Sequence, residues 1–222
     1  MTPTLNLFQE MPLVAILRGI LPTEVVAVGQ VLYKSGIRCI EVPLNSPAPL
    51  DSIAKLVAVL PEDCLVGAGT VTSASDVDDV VAAGGNLIVA PNTDKAVIQR
   101  AVGFDAVVMP GIATATDAFN AISYGARHLK LFPASTYGPD HMRSLKVVLP
   151  DNCRVYAVGG VGVAEMGMWV AAGVDGFGIG SEIYRAGDSA EVVSEKANAL
   201  TSAYRNTQTM HTKPHVNPLS KH

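Results

Sequence analysis

Short apolar runs alternate along the chain with longer stretches of helical character. Each run has six or seven residues, is rich in aliphatic side chains and is followed by a turn. The eight runs are Leu13–Arg18, Cys39–Leu44, Leu65–Thr70, Leu87–Asn92, Ala106–Ile112, His128–Pro133, Arg154–Gly160 and Gly176–Ser181. Strands that alternate with helices form parallel sheets. Eight such units in 222 residues predict a closed (β/α)8 TIM barrel, an α/β fold of one domain.

The residues between the runs support this prediction. Hydroxyl side chains that favour the start of a helix stand at Thr23, Ser73 and Thr114. Glycines that favour the end of a helix stand at Gly36, Gly84, Gly125 and Gly173. No interior break indicates a second domain, so we expect residues 1–205 to form one barrel domain. Residues 206–222 are polar, contain two prolines and show little periodicity, which predicts a C-terminal tail.

The amino-acid composition indicates the kind of core and disfavours nucleic acid and membranes as partners. Hydrophobic residues make up 49% of the chain, charged residues 16% and aromatic residues 5%, which predicts a large aliphatic core. The net charge of −4 and the lack of a Lys/Arg cluster disfavour binding to nucleic acid. The N-terminus does not resemble a signal peptide, and no apolar run is long enough to span a membrane. We therefore expect a cytoplasmic protein with no membrane partner.

Cysteine and histidine are not arranged as metal ligands. Cys39, Cys64 and Cys153 are far apart and form no CxxC motif, so we expect buried, reduced thiols. Three of the five histidines lie at irregular spacing in the predicted tail, without the helix or hairpin that a metal site needs. No metal site is therefore predicted. An extended arm against a neighbouring subunit is another interpretation of the tail.

Two charged residues lie inside predicted strands, Glu41 in the second run and Lys130 in the sixth. Side chains along a strand alternate between two faces. Aliphatic neighbours such as Ile40 and Leu129 should pack under the helices, so both charged residues should point into the barrel. A buried charge is costly unless it is paired or used. The two residues are therefore either an ion pair that only stabilises the barrel or a catalytic pair.

The catalytic interpretation follows from the effect of burial on an amine. Burial lowers the pKa of a lysine, and a neutral amine can attack a ketone to form an imine. The protonated imine accepts electrons when a neighbouring C–C bond breaks, which makes Lys130 the predicted Schiff-base nucleophile. Glu41 is the predicted general acid and base that moves protons between the intermediates. The sequence therefore predicts an aldolase.

The last two runs end in small residues, Gly159 and Gly160 on the seventh and Gly180 and Ser181 on the eighth. In barrels of this kind the loops after the last two strands often bind phosphate through backbone N–H groups. Glycine lets the backbone approach the anion, and serine adds a hydroxyl donor. Two such ends on neighbouring strands favour a phosphate site over tight turns chosen only for their backbone conformation.

Further residues at the strand ends complete the predicted substrate site. Arg18 ends the first run and is a candidate for binding a carboxylate, because guanidinium offers two parallel donors. A surface ion pair is the alternative for this residue. Thr70 ends the third run and could donate a hydroxyl to the same anion. Pro91 and Phe132 could shape the wall of the pocket or belong to the core.

Several stretches resemble, in order, the 2-keto-3-deoxy-6-phosphogluconate/6-phosphogalactonate aldolase family: PLVAILRGI, IEVPLNSP, GAGTV, PGIATATDAF, LKLFPAS, YGPDHMRSLKVVLP and YAVGGV. The resemblance extends from about Pro12 to Arg205 and leaves out the tail. It implies a class I aldolase that works without a metal or other cofactor and is usually a homotrimer. The substrate it implies is a phosphorylated 2-keto-3-deoxy sugar acid, and the products are pyruvate and D-glyceraldehyde 3-phosphate.

The residues that match the family's Schiff-base lysine, acid/base glutamate and phosphate-binding positions are Lys130, Glu41, Gly159, Gly160 and Ser181. One position departs from the phosphogluconate branch, in which an arginine for the pyruvate carboxylate stands four residues after the glutamate. Asn45 occupies that place here, and Arg18 is present in the AILRGI motif. Both features resemble the phosphogalactonate branch, and Asn45 is accordingly a candidate substrate contact.

Three other functions stay open at this point. The first is the aldolase of the phosphogluconate branch, whose substrate differs in configuration at C4. The second is a phosphosugar epimerase or isomerase, which would use an acid/base pair without an imine. The third is a phosphosugar-binding barrel without activity, which would have no need of a buried amine.

Overall fold

The computed structural model describes residues 10–211, which form nine strand segments and eight helices. The strands are β1 (Leu13–Ile16), β2 (Cys39–Pro43), β3 (Leu65–Gly69), β4 (Leu87–Val89), β5 (Val107–Met109), β6 (Gly111–Ile112), β7 (His128–Leu131), β8 (Arg154–Val158) and β9 (Gly176–Ile179). The helices are α1 (Val25–Lys34), α2 (Pro49–Val59), α3 (Ala74–Ala82), α4 (Lys95–Gly103), α5 (Ala115–Ser123), α6 (Ala134–Lys146), α7 (Met166–Ala171) and α8 (Ala190–His211). Every strand except β5 is followed by a helix, as the alternation of the sequence predicts.

The strands form one parallel sheet that closes on itself. Their order is β5-β4-β3-β2-β1-β9-β8-β7-β6, and β5 and β6, at the two ends, are separated in the chain only by Pro110. The predicted single-domain (β/α)8 barrel is therefore confirmed. The fifth predicted strand is split because Pro110 has no N–H to donate to a neighbouring strand. Its carbonyl instead accepts a 2.9 Å hydrogen bond from the backbone N–H of Lys130.

Most of the predicted helix boundaries are present. Ser73 and Thr114 each cap a helix, and an aspartate three residues later bonds back to the backbone N–H of the capping residue. The prediction for Thr23 is wrong, because the residue before α1 is Glu24 and no side chain caps this helix. The first N–H groups are instead satisfied by the carbonyl of Leu21, which accepts from Glu24 at 3.1 Å and from Val25 at 3.2 Å.

The predicted helix-ending glycines all adopt left-handed backbone angles. Their φ values are 97°, 88°, 113° and 90° at Gly36, Gly84, Gly125 and Gly173. A residue with a Cβ is about 1 kcal/mol or more higher in conformational free energy in this region. The turn from each helix into the next strand therefore depends on glycine. These turns fix where the following strands β2, β4, β7 and β9 begin.

Two apolar layers lie on opposite faces of the barrel wall. The outer layer packs strand residues such as Ile40 and Leu129 under the helices. The inner layer fills the barrel and consists of Val14, Ile16, Cys39, Leu65, Leu87, Val89, Met109, Tyr156 and Val158. The alternation predicted for the second and sixth strands is thus confirmed. Within the barrel, the Tyr156 hydroxyl lies 3.1 Å from Nδ1 of His128, so this buried tyrosine has a polar partner.

The last helix extends beyond Asn206, the residue at which the sequence predicts a tail to begin. Helix α8 runs to His211 and packs on the barrel, with the ring of Tyr204 edge-on to that of Phe177 at 6.4 Å. The rest of the predicted tail, with its remaining histidines, lies outside the described residues. The three cysteines are free and buried, as predicted.

Candidate active site

A cavity of about 840 Å³ opens at the carboxyl ends of the strands. Several predicted site residues line it together: Arg18, Glu41, Lys130, Phe132, Gly159, Gly160, Gly180 and Ser181. They come from the ends of five strands, because parallel strands in a barrel all point their carboxyl ends to one side. The barrel therefore gathers side chains that are far apart in sequence into one compartment.

Lys130 projects from β7 into this cavity and is only 7% exposed. Its Nζ lies 4.7 Å from the centre of the Phe132 ring, a contact that partly replaces water around the ammonium group. Burial lowers the pKa of Lys130, the charge of Glu41 opposes this shift, and the charge of Arg18 adds to it. The neutral, nucleophilic form of this amine is therefore populated at a lower pH than in water.

Glu41 projects from β2 and is 1% exposed. Burial raises the pKa of its carboxyl group to about 7, although the positive charges of Lys130 and Arg18 oppose the shift. Among the described residues, Oε2 of Glu41 has no hydrogen-bond partner. A carboxyl group that titrates near neutral pH and has one free oxygen can both accept and return a proton.

The Glu41 carboxylate fits into the barrel because β3 carries a glycine beside it. β2 and β3 pair so that Pro43 is opposite Gly69. A Cβ at Gly69 would lie 1.9 Å from Oε2 of Glu41 and 2.4 Å from Oε1. No side chain larger than hydrogen can therefore occupy this position while the carboxylate stays in place.

Arg18 lies at the rim of the cavity, beside the loop that follows β2. Its Nη1 donates a 2.8 Å hydrogen bond to Oδ1 of Asn45, and both side chains are exposed. The backbone N–H of Gly19 donates a 2.9 Å hydrogen bond to the hydroxyl of Ser46, which joins the same two loops again. The structure thus brings together the two residues, Arg18 and Asn45, that distinguish the predicted branches.

Asn45, Thr70 and Pro91 do not line the cavity. Thr70 directly follows β3 and has a φ of 60°. Pro91 follows β4, and its carbonyl packs so closely on β6 that a Cβ on Gly111 would lie 2.1 Å from the oxygen. Their contact with a substrate stays a prediction.

The glycines at the end of β8 are required by conformation and by space. Gly159 and Gly160 have φ values of 96° and 73°. A Cβ on Gly160 would lie 2.7 Å from Cβ of Ser135. On the neighbouring strand, Ser181 follows Gly180 and is exposed at the mouth of the cavity. Small residues on both strands leave the backbone open to an anion.

Comparison with known proteins identifies the family. The family model described as KDPG and KHG aldolase matches residues 5–196. The chain belongs to this aldolase family. It is 45% identical, over 88% of its length and 96% of the relative's, to the 2-dehydro-3-deoxy-6-phosphogalactonate aldolase of Escherichia coli. It is 43% identical to a probable aldolase of the same name from Rhizobium meliloti, over 88% of this chain and 92% of the relative.

A solved structure described as native KDPGal is similar to this aldolase throughout the barrel. The two share 44% identity and a TM-score of 0.88, over 90% of this chain and 97% of the other. Among residues 10–209, no group of three or more His, Cys, Asp or Glu side chains is arranged to hold a metal ion. Within the same residues, no helix is both long and apolar enough to cross a membrane.

Sequence reasoning missed several residues of the candidate site. Residues 161–165 and Arg185 line the cavity, and Gly69 makes room for Glu41. Arg185 stands four residues after Ser181, and a cation so close to a predicted anion-binding strand end was a usable signal. Gly69 gave no such signal, because its role depends on which residue of β2 lies beside it. The register of two strands cannot be obtained from either strand alone.

Proposed function

We propose that this aldolase cleaves 2-dehydro-3-deoxy-6-phosphogalactonate to pyruvate and D-glyceraldehyde 3-phosphate through an imine on Lys130. One observation carries the proposal: a buried lysine and a buried glutamate with a pKa near neutrality share a cavity at the carboxyl ends of the strands. Burial acts on the pKa values of the two residues in opposite directions, which suits a nucleophile and a proton carrier. An ion pair with a purely structural role would not need an open cavity.

The proposed reaction begins when the neutral amine of Lys130 attacks the C2 carbonyl. The carbinolamine hydroxyl takes a proton from solvent and leaves as water, which gives a protonated imine. The C3–C4 bond then breaks, its electrons pass to the imine nitrogen, and Glu41 takes the proton of the C4 hydroxyl as the aldehyde forms. Glu41 returns this proton to C3 of the enamine. Water finally hydrolyses the protonated imine, which releases pyruvate, returns a proton to solvent and restores the neutral lysine.

The two anionic ends of the substrate have separate candidate sites. Arg18 is the proposed partner of the C1 carboxylate, because its guanidinium lies at the rim beside Asn45 and its charge reaches both buried groups. The N–H groups of Gly159 and Gly160 and the Ser181 hydroxyl are the proposed ligands of the C6 phosphate. Phe132 forms part of the cavity wall.

Two observations support the galactonate epimer. Both quoted relatives carry that substrate in their names. Asn45 stands where the phosphogluconate branch has an arginine, and it binds Arg18 instead. Steady-state kinetics on the two C4 epimers under identical conditions tests the choice. We expect a higher kcat/KM on the galactonate epimer, and equal values or a gluconate preference would make the assignment wrong.

The imine itself is tested by reduction with borohydride in the presence of pyruvate. We expect the protein to gain the mass of a reduced pyruvate adduct, located on Lys130 by peptide mass spectrometry. The Lys130→Met variant should gain no adduct and lose turnover, whereas Lys146→Met, which removes an ion pair on α6 outside the cavity, should behave like the unmodified protein. Turnover by Lys130→Met would exclude the mechanism, and failure to trap any adduct would favour an epimerase or isomerase.

The family resemblance further predicts a homotrimer in the cytoplasm. Sedimentation equilibrium on the full chain tests the oligomeric state directly. A mass three times that of one chain is expected, and the mass of a single chain would contradict the prediction.

A further inference from the structure

Of the described residues that line the cavity, three are cationic: Arg18, Lys130 and Arg185. Arg18 and Lys130 act on Glu41 electrostatically. Arg185 lies in the loop that follows β9. This loop is next to the one that follows β1, since a Cβ on Gly19 would lie 3.3 Å from Cβ of Ala186. The guanidinium of Arg185 bonds directly to a predicted phosphate-binding residue, through the backbone carbonyl of Ser181.

The position of Arg185 is defined by two contacts. Its Nε donates a 3.1 Å hydrogen bond to the backbone carbonyl of Ser181. Its Nη2 lies 3.7 Å from Oε1 of Glu182, and this loose ion pair is exposed, with 65% of the arginine side chain accessible. The first contact holds the guanidinium beside the serine at the mouth of the cavity. The second leaves at least one guanidinium nitrogen free to bind another anion.

Neutral donors alone leave a phosphate poorly compensated. A sugar phosphate carries a charge between −1 and −2 at neutral pH, whereas backbone N–H groups and a serine hydroxyl supply only partial charges. Glu165 already accepts a 2.9 Å hydrogen bond from the N–H of Gly162 in the adjoining loop. Glu182 lies nearby as well, so two carboxylates stand beside the glycine-rich strand ends. The guanidinium of Arg185, held at Ser181, is placed to balance the charge of a phosphate bound there.

We propose that Arg185 is a phosphate-binding residue of this aldolase and selects phosphorylated over unphosphorylated 2-keto-3-deoxy sugar acids. This inference rests on the proposed function. Arg185 binds a terminal phosphate oxygen through its free guanidinium N–H groups while Nε stays on the carbonyl of Ser181. Because the phosphate is remote from the bond that breaks, the contact contributes to substrate binding and leaves the proton transfers of Glu41 unchanged.

The test compares Arg185→Gln with the unmodified protein on two substrates, the phosphorylated sugar acid and its unphosphorylated counterpart. A hydrogen bond to a charged group is strong enough that its loss should raise KM for the phosphorylated substrate about tenfold to a hundredfold. We expect kcat on that substrate and kcat/KM on the unphosphorylated one to stay unchanged. Arg143→Gln is the matched control, since Arg143 is a similarly exposed arginine outside the cavity.

Salt provides a second readout that a simple loss of folding would not produce. KM for the phosphorylated substrate should rise with ionic strength in the unmodified protein and rise less steeply in Arg185→Gln. Arg185→Lys should retain part of the effect, because it keeps the charge but not the fork of donors. An equal loss on both substrates, or no change on either, would overturn the inference.

The same experiments separate this inference from the proposed function. Pyruvate carries no phosphate, so borohydride trapping on Lys130 should be identical in Arg185→Gln and in the unmodified protein. If the unmodified protein traps pyruvate and prefers the phosphorylated substrate, but Arg185→Gln retains that preference, only the role of Arg185 is wrong. If the unmodified protein traps nothing, the proposed function and the inference both fail.

Discussion

Replacing Gly69 with alanine tests whether the rate of cleavage depends on the position of the Glu41 carboxylate. The new methyl carbon would lie 1.9 Å from Oε2 of Glu41, whereas non-bonded atoms of this kind settle at about 3.5 Å. One of the two groups must therefore move by roughly 1.5 Å. The carboxylate is the end of a flexible side chain and faces an open cavity, so it moves more easily than the backbone of β3.

A displacement of about 1 Å at a catalytic group can cost about a hundredfold in rate. We therefore expect Gly69→Ala to lower kcat for cleavage by about a hundredfold, with little change in KM, because the groups that bind the two substrate ends stay in place. The assay is steady-state cleavage, supported by exchange of the pyruvate methyl protons in deuterated water. That exchange follows proton transfer at C3 without the aldol step.

Two further variants separate displacement of the carboxylate from a general effect of added volume. Gly103→Ala adds a methyl group to α4 where no atom lies within 4 Å, so it should leave kcat unchanged. Glu41→Asp shortens the side chain by one methylene, and the double variant Gly69→Ala/Glu41→Asp should be more stable to unfolding than Gly69→Ala alone. A Gly69→Ala protein that is folded and turns over at the unmodified rate would refute the reasoning.

Three other predictions concern the buried pair and its neighbours. In the proposed mechanism Glu41 accepts the C4 hydroxyl proton in its ionised form, so kcat/KM should rise with pH through about 7 in a pH-rate profile, and a flat profile between pH 6 and 8 would contradict this. Glu41→Gln should lower kcat by about 10²–10⁴-fold in the cleavage assay while borohydride still labels Lys130. The pKa of Glu41 is raised on folding from 4.5 to about 7, so its stabilising contribution is present at low pH and lost as the pH rises through 7. Glu41→Gln should therefore gain about 3 kcal/mol over the unmodified protein between pH 4 and pH 8 in urea unfolding, and equal gains at both pH values would contradict the burial argument.

The fold was accessible from the sequence because each unit of the barrel repeats the same local signals. Apolar runs, capping residues and helix-ending glycines can each be recognised within a short segment of sequence. Alternation along a strand was enough to predict that Glu41 and Lys130 point into the barrel. Thr23 was assigned wrongly because it stands one residue before the cap position Glu24, and the N–H groups of Glu24 and Val25 already bond to the carbonyl of Leu21. Pro110 was visible in the sequence, but its effect on the fifth strand depends on the neighbours of that strand.

The site was accessible only in part, because its finer features depend on contacts between strands. Gly69 acquires its role from the side chain of Glu41 on the neighbouring strand, and Arg185 from a loop that bends back to the carbonyl of Ser181. Thr70 and Pro91 were chosen by their positions at strand ends, but a strand end can face the rim or the wall as well as the cavity. The position of a residue along a strand therefore predicts at which end of the barrel the residue lies more reliably than it predicts contact with a ligand.

The break at Pro110 marks the place where the two ends of the sheet, β5 and β6, meet and close the barrel, and Lys130 lies beside it on β7. The wall is held together there by the two-residue strand β6, its pairing with β7 and the hydrogen bond from Lys130 N–H to the Pro110 carbonyl. The amide proton of Lys130 consequently reports both on opening of the barrel wall and on motion of the proposed nucleophile. Hydrogen exchange at that one amide, measured with and without pyruvate, would reveal whether a ligand in the cavity reduces opening of the barrel wall.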